Sequence, residues 1–181
     1  MKLINILLLA AFVFFIQFFL VDLLSLKMIR PDFLVIYIFY ISLVFGKTPG
    51  VLIGFSLGLL SDLSGVGSLF GLAPLTLSAT AYLSGFLHGK YERLLPYVFH
   101  SAWISIIASH FLLISYFRFQ TVFVSDPISF WMRWFMSFSY TMLFFLIVHF
   151  FYLVLVLAAL DHHKLSKNLA GKFYTILDLF F

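Results

Sequence analysis

Residues 33–63 read FLVIYIFYISLVFGKTPGVLIGFSLGLLSDL, two apolar runs joined by the polar segment GKTPG. The runs cover residues 33–45 and 50–63, and polar side chains are nearly confined to the segment between them. This pattern predicts two helices joined by a turn, in an apolar surrounding. Each run is shorter than the ~20 residues that a lipid-exposed span needs. Either residues 27–32 are drawn partly into the membrane, or neighbouring helices shelter the short helix.

The whole chain has the composition of this stretch. Of its 181 residues, 64% are hydrophobic and 10% are charged, whereas a soluble domain has about 25% charged residues. A domain of this size buries only about 70% of its chain surface, so much apolar surface must face lipid. The chain has no cysteine, which excludes a disulfide framework and any thiolate site.

Four more apolar runs lie at residues 3–21, 69–87, 97–117 and 134–160, with a longer loop at 118–133. The sequence therefore predicts an all-α membrane protein, with a single transmembrane domain of six helices over residues 1–160. The first run is longer than the ~7–15 apolar residues of a signal peptide, and no small-residue cleavage site follows it. We expect it to be a retained first helix.

Residues 161–181 differ from the rest, because three lysines alternate with apolar residues at helical spacing. This pattern predicts a cytoplasmic, amphipathic, basic tail that lies on an anionic membrane surface; a frayed hydrophilic tail is the alternative. With six spans and a cytoplasmic N-terminus, seven lysines and arginines lie on the cytoplasmic side and four on the other. The bias predicts that both termini are cytoplasmic, and an odd number of spans would reverse this.

Three glycines, Gly50, Gly54 and Gly58, recur every four residues and so share one face of the third helix. In a bilayer such a face lets another helix approach closely, and we expect it to pack inside the protein. Asp62 continues this face by one turn. A membrane carboxylate costs at least ~2.5–3.5 kcal/mol unless it is paired or hydrated. Asp62 is either a proton, ion or ligand site, or a cap on a helix end or on the amides of residues 64–68; capping is favoured.

The fifth helix carries Ser101, Ser105 and Ser109 at the same spacing of four, which predicts a second small-residue face. Histidines at positions 100, 110 and 149 fall within predicted spans, but no pair has the spacing of a metal site on one helix. We expect them to be hydrogen-bonded packing residues. No phosphate loop, nucleophile elbow or paired carboxylates occur. The sequence thus predicts no enzyme, cofactor or metal site, and its scattered basic residues do not favour nucleic acid.

Residues 30–90 resemble one known family. The order of Arg30-Pro31-Asp32 before a short helix, the GKTPG turn, GVLIGFSLGLLSDL and the glycine-rich segment 65–71 is similar to the MreD family of bacterial rod-shape-determining membrane proteins. The resemblance covers about a third of the chain. The family signature maps onto these residues: Pro31, Asp32, Gly54, Gly58, Asp62 and Gly71.

This resemblance implies a fold similar to the membrane substrate-binding subunits of energy-coupling-factor transporters. It also implies a non-catalytic scaffold of the cell-elongation machinery in the bacterial inner membrane. There, MreD-like proteins bind MreC and work alongside MreB, RodA and the elongation transpeptidase in peptidoglycan synthesis. The alternative suggested by the same fold analogy is a vitamin-binding transporter subunit, which needs a pocket with several convergent polar side chains.

Overall fold

A computed structural model of the chain describes residues 3–25, 29–65, 69–90 and 94–162. Within these ranges the protein contains seven helices and no β-strand, which confirms the all-α prediction. Two segments, Tyr97–Arg118 and Pro127–Val148, are long and apolar enough to cross a membrane. The helices are α1 (Leu3–Leu23), α2 (Phe33–Phe45), α3 (Lys47–Leu63), α4 (Leu72–Ser84), α5 (Pro96–Arg118), α6 (Gln120–Ser125) and α7 (Pro127–His162).

Helix α2 forms the centre of the bundle, and α1, α3, α4 and α7 pack around it. Nine of its 13 residues are buried, from Leu34 to Leu43. At 1.5 Å per residue the helix is about 20 Å long, which is less than the ~30 Å thickness of membrane hydrocarbon. Its neighbours therefore shelter it. This agrees with the second of the two interpretations of the short run, in which neighbouring helices cover the short helix.

The turn between α2 and α3 is shorter than predicted, because only Gly46 separates the two helices. Gly46 has φ +89°, a conformation that glycine adopts without steric cost, and its amide donates to the carbonyl of Ser42. Residues 47–50 form the first turn of α3, although we predicted them as turn. Pro49 is tolerated there because the first turn of a helix has no internal partner for its amides.

Helices α3 and α4 lie antiparallel and form the most extensive contact in the bundle. A Cβ built on Gly54 would lie 3.1 Å from the carbonyl oxygen of Leu77, and one on Gly58 would lie 2.5 Å from the Cα of Pro74. Gly50 instead faces α2, where a Cβ would overlap the side chain of Ser42. The three glycines thus allow α3 to approach two different helices at backbone distance.

The prediction of a loop over residues 118–133 is wrong. The short helix α6 occupies residues 120–125, and α7 begins at Pro127. Asp126 caps α7, since its Oδ1 accepts from the amide of Ser129 at 3.2 Å and its carbonyl accepts from the amide of Phe130. Hydrogen bonds from the Ser129 hydroxyl and amide hold the pKa of Asp126 below its usual value. Asp-Pro is a recognised helix start, which the hydropathy reading did not weigh.

Helices α1 and α7 present wide apolar surfaces to the outside. On α1 the exposed side chains include Leu8, Phe12, Phe15 and Phe19; on α7 they include Trp131, Met132, Phe135, Leu143 and Leu146. Between α1 and α2 lies an apolar groove of about 440 Å³, closed at one side by Val148.

Part of the sequence interpretation lies outside the described residues. Residues 163–181, most of the predicted basic tail, belong there, as do several of the basic residues counted for orientation: Lys2, Lys27, Arg93, Lys164, Lys167 and Lys172. Helix α4 is shorter than the apolar run that predicts it, and α7 continues to His162.

Candidate functional site

The start of α2 is a junction of polar contacts. Asp32 caps this helix, because its Oδ1 accepts from the amide of Val35 at 3.1 Å. The backbone amide of Asp32 donates to the hydroxyl of Thr141 on α7 at 3.2 Å. Its carboxylate thus satisfies an amide that the first turn of α2 leaves without a partner, while its backbone joins α2 to α7.

His110 of α5 lies directly against this carboxylate. Its side chain is fully buried, and its Nε2 is 3.4 Å from Oδ2 of Asp32, whose side chain is 21% exposed. On the other side of the ring, Nδ1 is 2.9 Å from the hydroxyl oxygen of Thr80 on α4. The contacts of His110 therefore join α2, α4 and α5 through one side chain.

The hydroxyl of Thr80 has a single proton and two acceptors within reach, Nδ1 of His110 and the carbonyl of Thr76 at 2.8 Å. When it donates to Thr76, its oxygen can accept from Nδ1–H. When it donates to Nδ1, the neutral ring carries its proton on Nε2 and donates to Asp32. The second arrangement bonds the neutral ring of His110 on both sides.

Gln17 adds the first helix to this network. Its Oε1 accepts from the amide of Phe33 at 2.8 Å, and its Nε2 donates to the carbonyl of Pro31 at 3.4 Å. Gln17 and Asn5 are the polar residues within the apolar run of α1, and the structure places Gln17 beside the first turn of α2. The network thus connects five helices: α1, α2, α4, α5 and α7.

A cavity of about 110 Å³ lies beside this network, and Gln17 and Asp32 are part of its lining. We call it the polar cavity. Its polar lining includes Gln17, Arg30, Asp32, Ser61, Ser115 and Arg118. His110 lies eight positions before Arg118 on α5. The Asp32–His110 contact is therefore about 12 Å from the end of that helix, measured along its axis. The cavity is a recess within the bundle, with exposed arginines at its opening.

Asp62 has a separate structural task at the end of α3. Its Oδ2 accepts from the amide of Gly71 at 2.6 Å, whereas we predicted bonds to the amides of residues 64–68, of which 66–68 lie outside the described residues. Gly71 immediately precedes α4 and has φ +91°. The carboxylate therefore joins the end of α3 to the start of α4 across their loop.

The remaining sequence candidates are not brought together. His100 lies against the ring of Trp103, and the side chain of His149 lies outside the described residues. In the described part of the chain, no three His, Asp or Glu side chains are grouped as they would be to hold a metal ion. Ser101, Ser105 and Ser109 are exposed rather than packed, and Ser109 bonds a carbonyl of its own helix.

Sequence reasoning missed the threonines that complete the network, Thr80 and Thr141. Each is a hydroxyl within a mostly apolar helix, and this is the available signal. It does not indicate a partner, because hydroxyls in apolar helices often bond their own backbone, as Thr76 does here. The arrangement offers hydrogen-bonding groups to a polar group in the cavity. Comparisons of the chain with protein-family models, curated proteins and solved structures find no match.

Proposed function

We propose that this protein is a non-catalytic scaffold of the cell-elongation machinery in the bacterial inner membrane. It spans the membrane six times with both termini in the cytoplasm. It binds an MreC-like protein and supports peptidoglycan synthesis alongside MreB, RodA and the elongation transpeptidase. The proposal begins from the resemblance of residues 30–90 to the MreD family.

The observation that carries the proposal is the structural task of the signature residues. Asp32 caps α2, Gly54 and Gly58 admit the backbone of α4, and Asp62 bonds the amide of Gly71. The glycines and Asp62 fix α3 against α4, and the other contacts of Asp32, with His110 and Thr141, join α2 to α5 and α7. A scaffold depends on a rigid bundle of this kind, because its partners must be held at fixed positions.

The surfaces of α1 and α7 are suited to contacts within the bilayer. Helix α1, and α7 as far as Phe150, expose large apolar side chains, and in hydrocarbon such side chains contact lipid or another helix. Packing and shape decide which of the two, because lipid is as apolar as the side chains. These faces are therefore the candidate sites for the spanning helix of an MreC-like partner.

The sizes and linings of the two cavities argue against the vitamin-binding alternative. Small-molecule sites typically measure about 300–1,000 Å³ and contain a few convergent polar groups. The polar cavity has the polar groups but only about 110 Å³. The groove beside α1 has about 440 Å³, but aliphatic and aromatic side chains form its lining. Neither meets both requirements.

A pull-down from native membranes tests the scaffold. The tagged full chain is extracted in mild detergent, and bound proteins are identified by mass spectrometry. We expect recovery of a single-span coiled-coil protein of the MreC type. Recovery of transport ATPase subunits with a coupling protein, and no such coiled-coil protein, would contradict the proposal.

Matched variants locate the contact. Phe15→Ala on α1 and Phe135→Ala on α7 remove similarly exposed rings, which are 56% and 59% accessible. We expect one of them to lower recovery of the partner several-fold while the other does not, with equal yields of folded protein. If both variants recover as much partner as the native chain does, neither ring is part of the interface.

A further inference from the structure

We propose that the short helix α6 and the first turn of α7 bind lipid at the membrane boundary, where the headgroups of one leaflet meet the acyl chains. These elements lie within residues 119–132, which we call the α6 corner. The proposal rests on the membrane location that the proposed function also requires, but not on the partner proteins. An aqueous loop between two spans is the alternative.

One hydrogen bond relates the depths of α5 and α7. Trp134 of α7 donates through Nε1 to the carbonyl of Ala108, which is near the middle of the span Tyr97–Arg118. At 1.5 Å per residue, Arg118 lies about 15 Å beyond Ala108. On α7, Pro127 lies about 10 Å beyond Trp134 in the same direction. Hydrocarbon extends about 15 Å on each side of the midplane of a membrane. A span centred in the bilayer therefore places the α6 corner at the edge of the hydrocarbon.

The backbone of the α6 corner is suited to this depth. Peptide groups at the edge of hydrocarbon have few water partners, so they must bond within the protein. Three amides at the junctions between helices donate to carbonyls at 2.8–2.9 Å: Phe119 to Ser115, Phe123 to Phe119, and Asp126 to Val122. A single residue separates α6 from each of its neighbours. The connection is thus helical almost without interruption, whereas the peptide groups of an aqueous loop bond water.

Large apolar side chains of the α6 corner point away from the bundle. Val124 and Ile128 are 82% and 77% exposed. Ile128 is followed at helical spacing by the exposed side chains of Trp131, Met132 and Phe135, so these four share one face of α7. Tryptophan is enriched at the boundary between membrane and water. The lipid-facing surface of the span therefore continues outward as far as the α6 corner.

The corner also has polar side chains, which limit how deep it lies. Ser125 and Asp126 directly follow Val124 and are exposed. A carboxylate is costly inside hydrocarbon, so Asp126 belongs on the side of the headgroups and water. Successive residues of a helix point about 100° apart, which lets Val124 face acyl chains while Ser125 faces water. Apolar and polar exposed side chains at one level are typical of a segment that lies in the boundary.

The test compares single cysteines at positions that the protein leaves exposed. The chain has no cysteine, so Val124→Cys, Ser125→Cys and Ile128→Cys each carry one thiol. Each purified full chain is placed in phosphatidylcholine vesicles at a low ratio of protein to lipid and treated with a membrane-impermeant maleimide. We expect Ser125→Cys to react about ten-fold faster than the other two, because hydrocarbon excludes the reagent and disfavours the reactive thiolate. After denaturation in SDS all three should react equally, which controls for the chemistry of the thiols.

A second readout identifies what covers the thiols. A fluorophore is attached to each variant before reconstitution, and the vesicles contain phosphatidylcholine with brominated acyl chains, which quench by contact. We expect stronger quenching in Ile128→Cys than in Ser125→Cys. Protection from maleimide without quenching would show that a second copy of the chain covers the surface, and the proposal would be overturned.

The proposal is also overturned if Val124→Cys and Ile128→Cys react as fast as Ser125→Cys, since the corner is then an aqueous loop. Slow reaction of all three would place the whole corner inside the hydrocarbon and would contradict the boundary position. All three positions are exposed, so the substitutions leave the packing of the bundle unchanged. The vesicles contain this chain alone, and these outcomes are therefore separate from the recovery of partners in the pull-down.

Discussion

Of Gly50, Gly54 and Gly58, Gly58 lies closest to the backbone of a neighbouring helix. A Cβ there would lie 2.5 Å from both the Cα and the amide nitrogen of Pro74. Neither backbone atom can move as the end of a flexible side chain can, so α3 and α4 would have to separate. At Gly54 the closest approach is 3.1 Å, which a small shift can accommodate.

We therefore predict that Gly58→Ala lowers the free energy of unfolding by about 1–3 kcal/mol, the usual cost of overpacking. Gly54→Ala should cost less. The free energy is measured by denaturant titration in detergent, with Ser56→Ala on the exposed side of the same helix as control. If the two glycine variants were equally stable, the shorter backbone distance at Gly58 would not determine the loss of stability, and the prediction would be wrong.

Single residues also show where sequence reasoning succeeds and where it stops. Glycine spacing predicts a close helix approach because the period of a helix alone places the three residues on one face. The same reasoning cannot find the contact between Asp32 and His110, which lie 78 positions apart. Only the packing of α5 against α4 and α2 brings these two side chains together. His110 was expected to be hydrogen-bonded, but its partners could not be named.

At the scale of elements, hydropathy locates the helices but not all of their ends. The bounds of α2 agree with its apolar run, because polar residues stand directly on both sides of it. The bounds of α3 and α7 do not agree, since their first turns are polar or aromatic and were read as turn and loop. Capping residues mark those starts better than hydropathy does, and Asp126 is the clearest example.

We predict that Asp126→Ala frays the first turn of α7. The loss of the side-chain acceptor leaves the amide of Ser129 to solvent, so deuterium uptake over residues 127–131 should rise. Hydrogen–deuterium exchange with mass spectrometry measures this, and Asp126→Asn is the control, because asparagine also caps helices well. Unchanged uptake in the alanine variant would contradict the capping role.

The same cap should respond to acid. The pKa of Asp126 is lowered in the folded protein from the value of 3.8, so its contribution to stability is complete above that pH. It is lost as the pH falls through the lowered value. Relative to Asp126→Asn at the same pH, the native chain should lose protection of this turn only in strong acid.

At the scale of the whole molecule, two helices among the described residues have the length and apolar character of a span, and the proposed count is six. The chain contains no cysteine, so single cysteines can be introduced without background labelling. We predict that Lys90→Cys reacts with a membrane-impermeant maleimide only after the cells are opened. Ser125→Cys should react in cells whose outer barrier alone has been permeabilised. The reverse pattern would invert the proposed topology, and labelling of both from one side would exclude it.

The length of α7 has a mechanical consequence. Its 36 residues make a rod of about 54 Å, nearly twice the ~30 Å of membrane hydrocarbon. Three hydrogen bonds hold the rod within its first half: Trp134 donates to α5, Tyr140 donates to the carbonyl of Leu24, and the amide of Asp32 donates to Thr141. Thr141 is the fifteenth of the 36 residues, so the longer arm of the helix extends from there to His162. A tilt of about 10° at Thr141 moves His162, about 32 Å away, by about 5 Å, so a small motion on one side of the membrane becomes a displacement on the other.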